Sequence, residues 1–264
     1  MARDTVGRTF LVAAVLCIVC SILVSGAAVA LKEKQDENAA VEKKKNILVA
    51  TGLCDSKATP EEVKKAYEAV QEELIDLETG LPAPDSIDRK KYDSRKAARD
   101  PALNVNLPKE KRIAGFKQRE KYAFVYKVPS KSGEQLIVFP VYGKGLWSTL
   151  YGFLAVSSDL RTVKGLTFYQ HGETPGLGGE VDNAKWKALW PNKQVFGPDG
   201  KVRLEVIKGN VHPDSPNKEH QVDGLSGATI TSRGVTMLIR YWIGDAFSKY
   251  IEEAQKRSNS PRGV

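Results

Sequence analysis

The sequence predicts an α+β protein, an antiparallel-rich sheet with flanking helices, preceded by one N-terminal transmembrane helix. Three observations carry this. Residues 9–31 hold no formal charge, residues 122–208 break into short β-rich runs, and the C-terminal region carries an apolar stripe at helical spacing. With 264 residues, 41% hydrophobic and 27% charged, the chain can form one large domain plus an appendage.

The uncharged stretch is rich in Val, Ala, Leu and Ile, and its 23 residues span roughly 34 Å as a helix, enough to cross a bilayer. Ala28-Val29-Ala30 imitates the cleavage site of a secretory signal. The stretch exceeds the usual signal core of about 7 to 15 residues, which favours a retained anchor. Arg3 and Arg8 before it nearly balance Lys32 and Lys34 after it, so charge alone assigns no side.

Cys17 and Cys20 lie inside the span, leaving Cys54 alone in the soluble part. That speaks against an intradomain disulfide or a cysteine-ligated metal, and no metal site is expected. The net charge of +8 arises from 40 basic residues interspersed with 32 acidic ones. With no nucleic-acid motif beside them, these charges read as a solvated surface, and no nucleic-acid partner is expected.

Residues 32–46, nearly all charged or small and including Lys43-Lys44-Lys45, read as a solvated juxtamembrane linker close to lipid. Thr59-Pro60-Glu61-Glu62 supplies an N-cap, a first-turn Pro and an acid, and Val63, Tyr67, Val70 and Leu74 continue at helical spacing. The helix so predicted ends near Gly80. Between Gly80 and Glu120 apolar residues thin out while Pro, Asp and Lys accumulate, as loops do.

Strands are predicted at Tyr122–Val128, Gln135–Val141, Gly152–Ser157, Lys164–Tyr169 and Val202–Lys208. In the last helix Val235, Leu238, Ile239, Trp242, Ile243, Ala246, Phe247, Tyr250 and Ile251 recur at steps of three and four, and Thr231 or Ser232 would cap its start.

Just before that helix stands Asp223-Gly224-Leu225-Ser226-Gly227-Ala228-Thr229-Ile230-Thr231-Ser232. A first helical turn leaves backbone N–H groups unpaired and carries partial positive charge, so a phosphate fits there, with Thr229 in reach. Taken alone, such a run is most often only a cap.

Ser226-Gly227-Ala228-Thr229, with Asp223 three positions earlier, resembles the flavinylation motif of FMN-binding domains in respiratory redox complexes. At roughly 7% usage per residue type, a given four-residue string arises once in about 40,000 positions. A second segment strengthens it: His171-Gly172-Glu173-Thr174-Pro175-Gly176-Leu177-Gly178 is similar to that family's flavin-side loop. Gly176 and Gly178 permit turns, Leu177 can lie against an apolar ring, and Glu173 and Thr174 can supply hydrogen bonds. Tyr142-Gly143-Lys144-Gly145-Leu146-Trp147 resembles the family's Gly-rich turn near the cofactor. Trp147 could flank the ring, although a tryptophan at a strand end is more often core.

Over nearly its whole length the chain resembles the family of C subunits of sodium-translocating NADH:quinone reductases, including Ala97-Ala98-Arg99-Asp100-Pro101 in the middle. That resemblance implies FMN esterified through its phosphate to Thr229, with Gly145, Leu146, Trp147, Glu173, Thr174, Gly176, Leu177, Gly178, Ser226, Gly227, Ala228 and Thr231 around it. It implies electron relay among the other subunits of a respiratory complex in a bacterial inner membrane, with the soluble domain periplasmic. It also implies a flavin transferase that reads Asp223, Ser226, Gly227, Ala228 and Thr229. The organisation then runs from a cytoplasmic N-terminus (1–8) through the transmembrane helix (9–31) and linker (32–46). A helical and irregular part (47–121), the covalent FMN-binding domain (122–257) and a tail (258–264) follow. The alternatives are a G-type subunit of a ferredoxin:NAD reductase complex and a non-redox membrane-anchored binding protein.

Overall fold

A computed structural model describes residues 5–259 of the chain. The outer parts of the expected N-terminal segment 1–8 and tail 258–264 therefore lie outside the described residues. Two compact units are present, residues 1–43 and 44–264.

The first unit is one helix, the start of α1 (Val6–Ala50). Its large apolar residues, among them Phe10, Leu16, Ile22 and Leu23, are exposed. Residues 32–46, expected as a linker, are helical throughout. No Gly or Pro falls between Gly26 and Gly52, and Ala, Glu and Lys favour a helix wherever packing does not decide.

In the second unit the elements follow in order as α2 (Pro60–Tyr67), β1 (Gln71–Asp76), α3 (Ser94–Ala97), β2 (Asn104–Asn106), β3 (Gln118–Glu120) and β4 (Tyr122–Pro129). Then come β5 (Gln135–Lys144), β6 (Thr149–Val156), β7 (Val163–Gln170), α4 (Ala184–Lys187), β8 (Glu205–Val206), β9 (Gln221–Val222), α5 (Thr229–Tyr241) and α6 (Ser248–Asn259). The main sheet is antiparallel in the order β1-β4-β5-β6-β7. Beside it β2 pairs antiparallel with β3, and β8 parallel with β9. The predicted α+β class with an antiparallel sheet is what the chain adopts.

Alternation along the strands gives the sheet two buried faces. Ala123, Val125, Ile137, Phe139, Val141, Leu154 and Phe168 join the apolar residues of α5 in the main core. On the other face, Thr167 donates its hydroxyl to the carbonyl of Asn46 at 3.1 Å, setting the last turn of α1 there with Ile47 and Leu48 fully buried.

Three elements differ from the sequence reading. The helix from Pro60 stops at Tyr67, after the capping box that Thr59 and Glu62 form as expected. Leu74, read as its continuation, lies in β1 opposite Phe124. A six-residue segment with adjacent apolar residues fits strand or helix, and pairing with β4 decides it. Only Glu205–Val206 of the strand predicted at Val202–Lys208 forms. There the Val206 backbone bonds the Thr236 hydroxyl rather than a neighbouring strand. The final helix is broken by a π-turn at Trp242–Ala246, in which the Phe247 N–H reaches the Trp242 carbonyl at 2.7 Å. All nine residues of its apolar stripe are nonetheless buried.

Candidate functional site

Three segments meet at one carboxylate. The β5–β6 turn, residues 145–148, is closed by Gly145 N–H donating to the Ser148 carbonyl at 2.9 Å. The segment after β7 carries Glu173, and α5 brings Thr231 in its first turn. Glu173 is only 5% exposed, and a buried charge needs full hydrogen bonding. It has it: Leu146 N–H and the Thr231 hydroxyl donate to Oε2 at 3.1 and 2.6 Å, while Trp147 N–H, Ser148 N–H and the Ser148 hydroxyl each donate to Oε1 at 3.0 Å. Burial pushes this carboxyl up, but the Thr231 hydroxyl and the three backbone N–H groups outweigh it and hold it below the ordinary carboxylate range.

Gly178, read from the sequence as a turn residue, serves close approach instead, and Gly145 does so within its turn. A Cβ at Gly145 would lie 2.6 Å from Glu173 Oε1, and one at Gly178 would lie 2.6 Å from Thr231 Oγ1 and 2.8 Å from Glu173 Oε2. Gly176 does occupy the left-handed region, with φ +76°. Around it the Thr174 carbonyl accepts from Leu177 N–H at 3.1 Å and Gly179 N–H at 2.9 Å, while Thr174 itself is exposed.

The start of α5 also departs from expectation. Ala228 is the N-cap residue and no side chain caps the helix. Neither Thr231 nor Ser232 is the cap, because both hydroxyls are turned inward. Thr231 serves Glu173, and Ser232 Oγ accepts from Leu225 N–H at 3.0 Å. Ser226, Gly227 and Thr229 are exposed, so a hydroxyl stands free beside a positively polarised, uncapped turn. Gly227, at φ +69°, approaches Leu177 so closely that a Cβ would lie 2.9 Å from its Cδ2.

Large apolar side chains stand exposed on the same three segments. Trp147 is 72% and Ile230 58% exposed, and Leu146 and Leu177 are also exposed. Trp147 is therefore not core. Two residues here were not singled out in the sequence: Ser148, whose hydroxyl also accepts from Gly172 N–H at 2.8 Å, and Ile230. Ile230 was findable, as an apolar residue standing off the buried stripe of the last helix.

Asp223 lies apart from the Glu173 cluster. Its Oδ1 accepts from Val211 N–H at 2.8 Å and its carbonyl from Trp186 Nε1 at 2.9 Å, tying the start of the attachment segment to neighbouring loops. His171 Nδ1 accepts from Glu173 N–H at 3.2 Å while Nε2 faces Asp182 Oδ2 at 2.7 Å, a hydrogen bond that holds the imidazole above its ordinary range. Among the described residues no group of His, Cys, Asp and Glu is arranged to hold a metal ion.

Comparison with known proteins agrees with this geometry. Residues 145–244 match the FMN-binding domain family, a stretch that begins at the Gly145 turn and encloses all three segments. The Na(+)-translocating NADH-quinone reductase C subunit of Pseudomonas aeruginosa is 47% identical over 256 residues, 96% of this chain and 98% of that protein. That of Yersinia pestis is 38% identical, covering 96% and 95%. The chain belongs to the family of Na(+)-translocating NADH-quinone reductase C subunits. The crystal structure of Shewanella oneidensis NqrC superposes with a TM-score of 0.73 at 36% identity, covering 86% of this chain and all of that one. The corresponding protein from Parabacteroides distasonis superposes at 0.64 with 25% identity, covering 84% and 96%. Membership over nearly the whole length sets aside the G-type alternative.

Proposed function

We propose that this chain is a redox subunit of a Na(+)-translocating NADH:quinone reductase, carrying FMN esterified through its phosphate to Thr229 and relaying electrons between other subunits. The observation that supports it best is the exposed Thr229 hydroxyl at the uncapped start of α5, on one of three segments that Glu173 ties together and that expose Leu146, Trp147, Leu177 and Ile230. The free N–H groups and dipole of that turn suit a phosphate dianion. The apolar side chains suit an isoalloxazine ring, whose exposure to water they would reduce. Bound there, FMN supplies reversible electron transfer that no side chain of this chain provides. Gly176, Gly178, Gly145, Thr174, Ser226, Gly227 and Ala228 shape the cradle by their turns and small size. The segment from Asp223 to Thr229 is what a flavin transferase reads during maturation. Residues 9–31 anchor the subunit in the bacterial inner membrane, and the domain after them is periplasmic.

Denaturing electrophoresis with flavin fluorescence, followed by intact mass, tests attachment. The matured protein should fluoresce and gain the mass of one FMN less one water, and Thr229→Ala should lose both. A dark wild-type band refutes the reading. Orientation is tested separately by fusing to the C-terminus a reporter active only outside the cytoplasm, and a silent reporter overturns the topology.

A further inference from the structure

We propose that Glu173 is a positioning residue: it locks the 145–148 turn, the 173–178 loop and the first turn of α5 into one rigid cradle, orienting the FMN on Thr229 without contacting it. The inference rests on attachment at Thr229 and goes beyond it. A carboxylate offers about four lone-pair sites, and Glu173 already accepts from five donors, so none remains for a ligand.

Those donors come from two of the three segments that bear the exposed apolar side chains, Leu146 and Trp147 on the turn and Ile230 beside Thr231 on α5. Leu177 follows on the loop that holds Glu173 itself. One ion thus fixes the mutual placement of the three segments that carry these side chains. The fit is close, because a Cβ at either Gly145 or Gly178 would strike the carboxylate. A fixed, buried anion also disfavours added negative charge on a neighbouring ring, which lowers the reduction potential of any flavin held there.

The test uses the full-length protein, matured with its flavin transferase and purified in detergent. Covalent FMN is quantified by mass, its mobility by fluorescence anisotropy and its midpoint potential by redox titration. Glu173→Gln keeps the shape but removes the ion, and should retain FMN with lower anisotropy and an upward shift in potential. Glu173→Asp should restore part of the shift. Thr231→Val keeps the ion but frees α5 from it, and should lower anisotropy with a smaller change in potential. If Glu173→Gln fails to fold or to accept flavin, Thr231→Val decides by the same measurements. Variants with FMN at wild-type anisotropy and potential, changed only in melting temperature, overturn the proposal. A wild-type protein without flavin at Thr229 would instead sink the attachment reading.

Discussion

Replacing Gly178 by Ala puts one methyl group into the tightest point of the site. Its Cβ would lie 2.6 Å from Thr231 Oγ1, 2.8 Å from Glu173 Oε2 and 3.0 Å from Glu173 Cβ. The first two atoms are the donor and acceptor of one buried 2.6 Å hydrogen bond, so neither can retreat without breaking it. Losing a hydrogen bond to a charged group costs about 1.5–3 kcal/mol, and overpacking adds about 1–3 kcal/mol. Each kcal/mol shifts the melting temperature of a domain this size by roughly 2–4 °C, giving a fall on the order of 10 °C. Gly176→Ala is the control: nothing lies within 4 Å of its Cβ, but φ is +76°. It should cost only the left-handed strain of about 1–2 kcal/mol. Thermal unfolding of the flavin-free chain in detergent, followed by circular dichroism, measures both. If Gly178→Ala melts no lower than Gly176→Ala, the packing argument at Glu173 is refuted.

Glu120, 2% exposed, should make stability fall with rising pH. Burial pushes its carboxyl up to about 7 from 4.5, offset only in part by the Tyr142 hydroxyl that donates to it at 2.7 Å. The folded state keeps this proton longer than the unfolded chain, so stability fully present below about pH 4.5 is lost through pH 7, by up to ~3 kcal/mol. Glu120→Gln should flatten that dependence in denaturant titrations at pH 5 and 8, and an unchanged slope would count against it. Trp147→Ala should leave the melting point nearly unaltered, since the side chain is 72% exposed, yet brighten the flavin by removing a neighbouring quencher; equal fluorescence would exclude Trp147 from the flavin surface. A chain starting at residue 44 should fold, whereas one starting at residue 52 should not. The second loses buried Ile47 and Leu48, each contributing about 1.5–3 kcal/mol, and the Thr167–Asn46 hydrogen bond. Equal urea midpoints would disprove the role of that turn.

Legibility in the sequence followed how local the deciding physics was. The capping box at Thr59 and the stripe from Val235 to Ile251 are set by residues three and four apart, and both formed. Strands β4 to β7 carry enough β-branched and aromatic residues to announce themselves. By contrast, Leu74 was decided by pairing with β4, a partner fifty residues away in sequence. At the site, the motifs picked out segments that the fold brings together, but not their wiring. Nothing local in Glu173 reveals that its acceptors are filled by Leu146, Trp147, Ser148 and Thr231, or that Gly178 is small because Thr231 stands opposite.

The first turn of α5 shows how a run of similar residues acquires different duties. Ser226, Thr229, Thr231 and Ser232 all bear hydroxyls, and each could serve a cap or a phosphoester by chemistry alone. Helical geometry separates Thr229 from Thr231, because positions two apart do not share a face, whereas Ser232, three on from Thr229, is drawn inward by the Leu225 N–H that donates to it. Thr231 and Ser232 point into the core, where each hydroxyl holds a tertiary hydrogen bond that exposure to an enzyme would cost. Thr229, like Ser226 before the helix, is exposed. The N-cap position is left to Ala228, whose side chain can accept nothing, so the free N–H groups of the turn remain available to an acceptor from outside the chain. Burial, rather than residue type, thus removes Thr231 and Ser232 from reach, and of the two exposed hydroxyls only that of Thr229 belongs to the first turn of α5. The inward hydroxyls that lost the competition, through Thr231 and its bond to Glu173, hold the helix in the place where the outward one is presented.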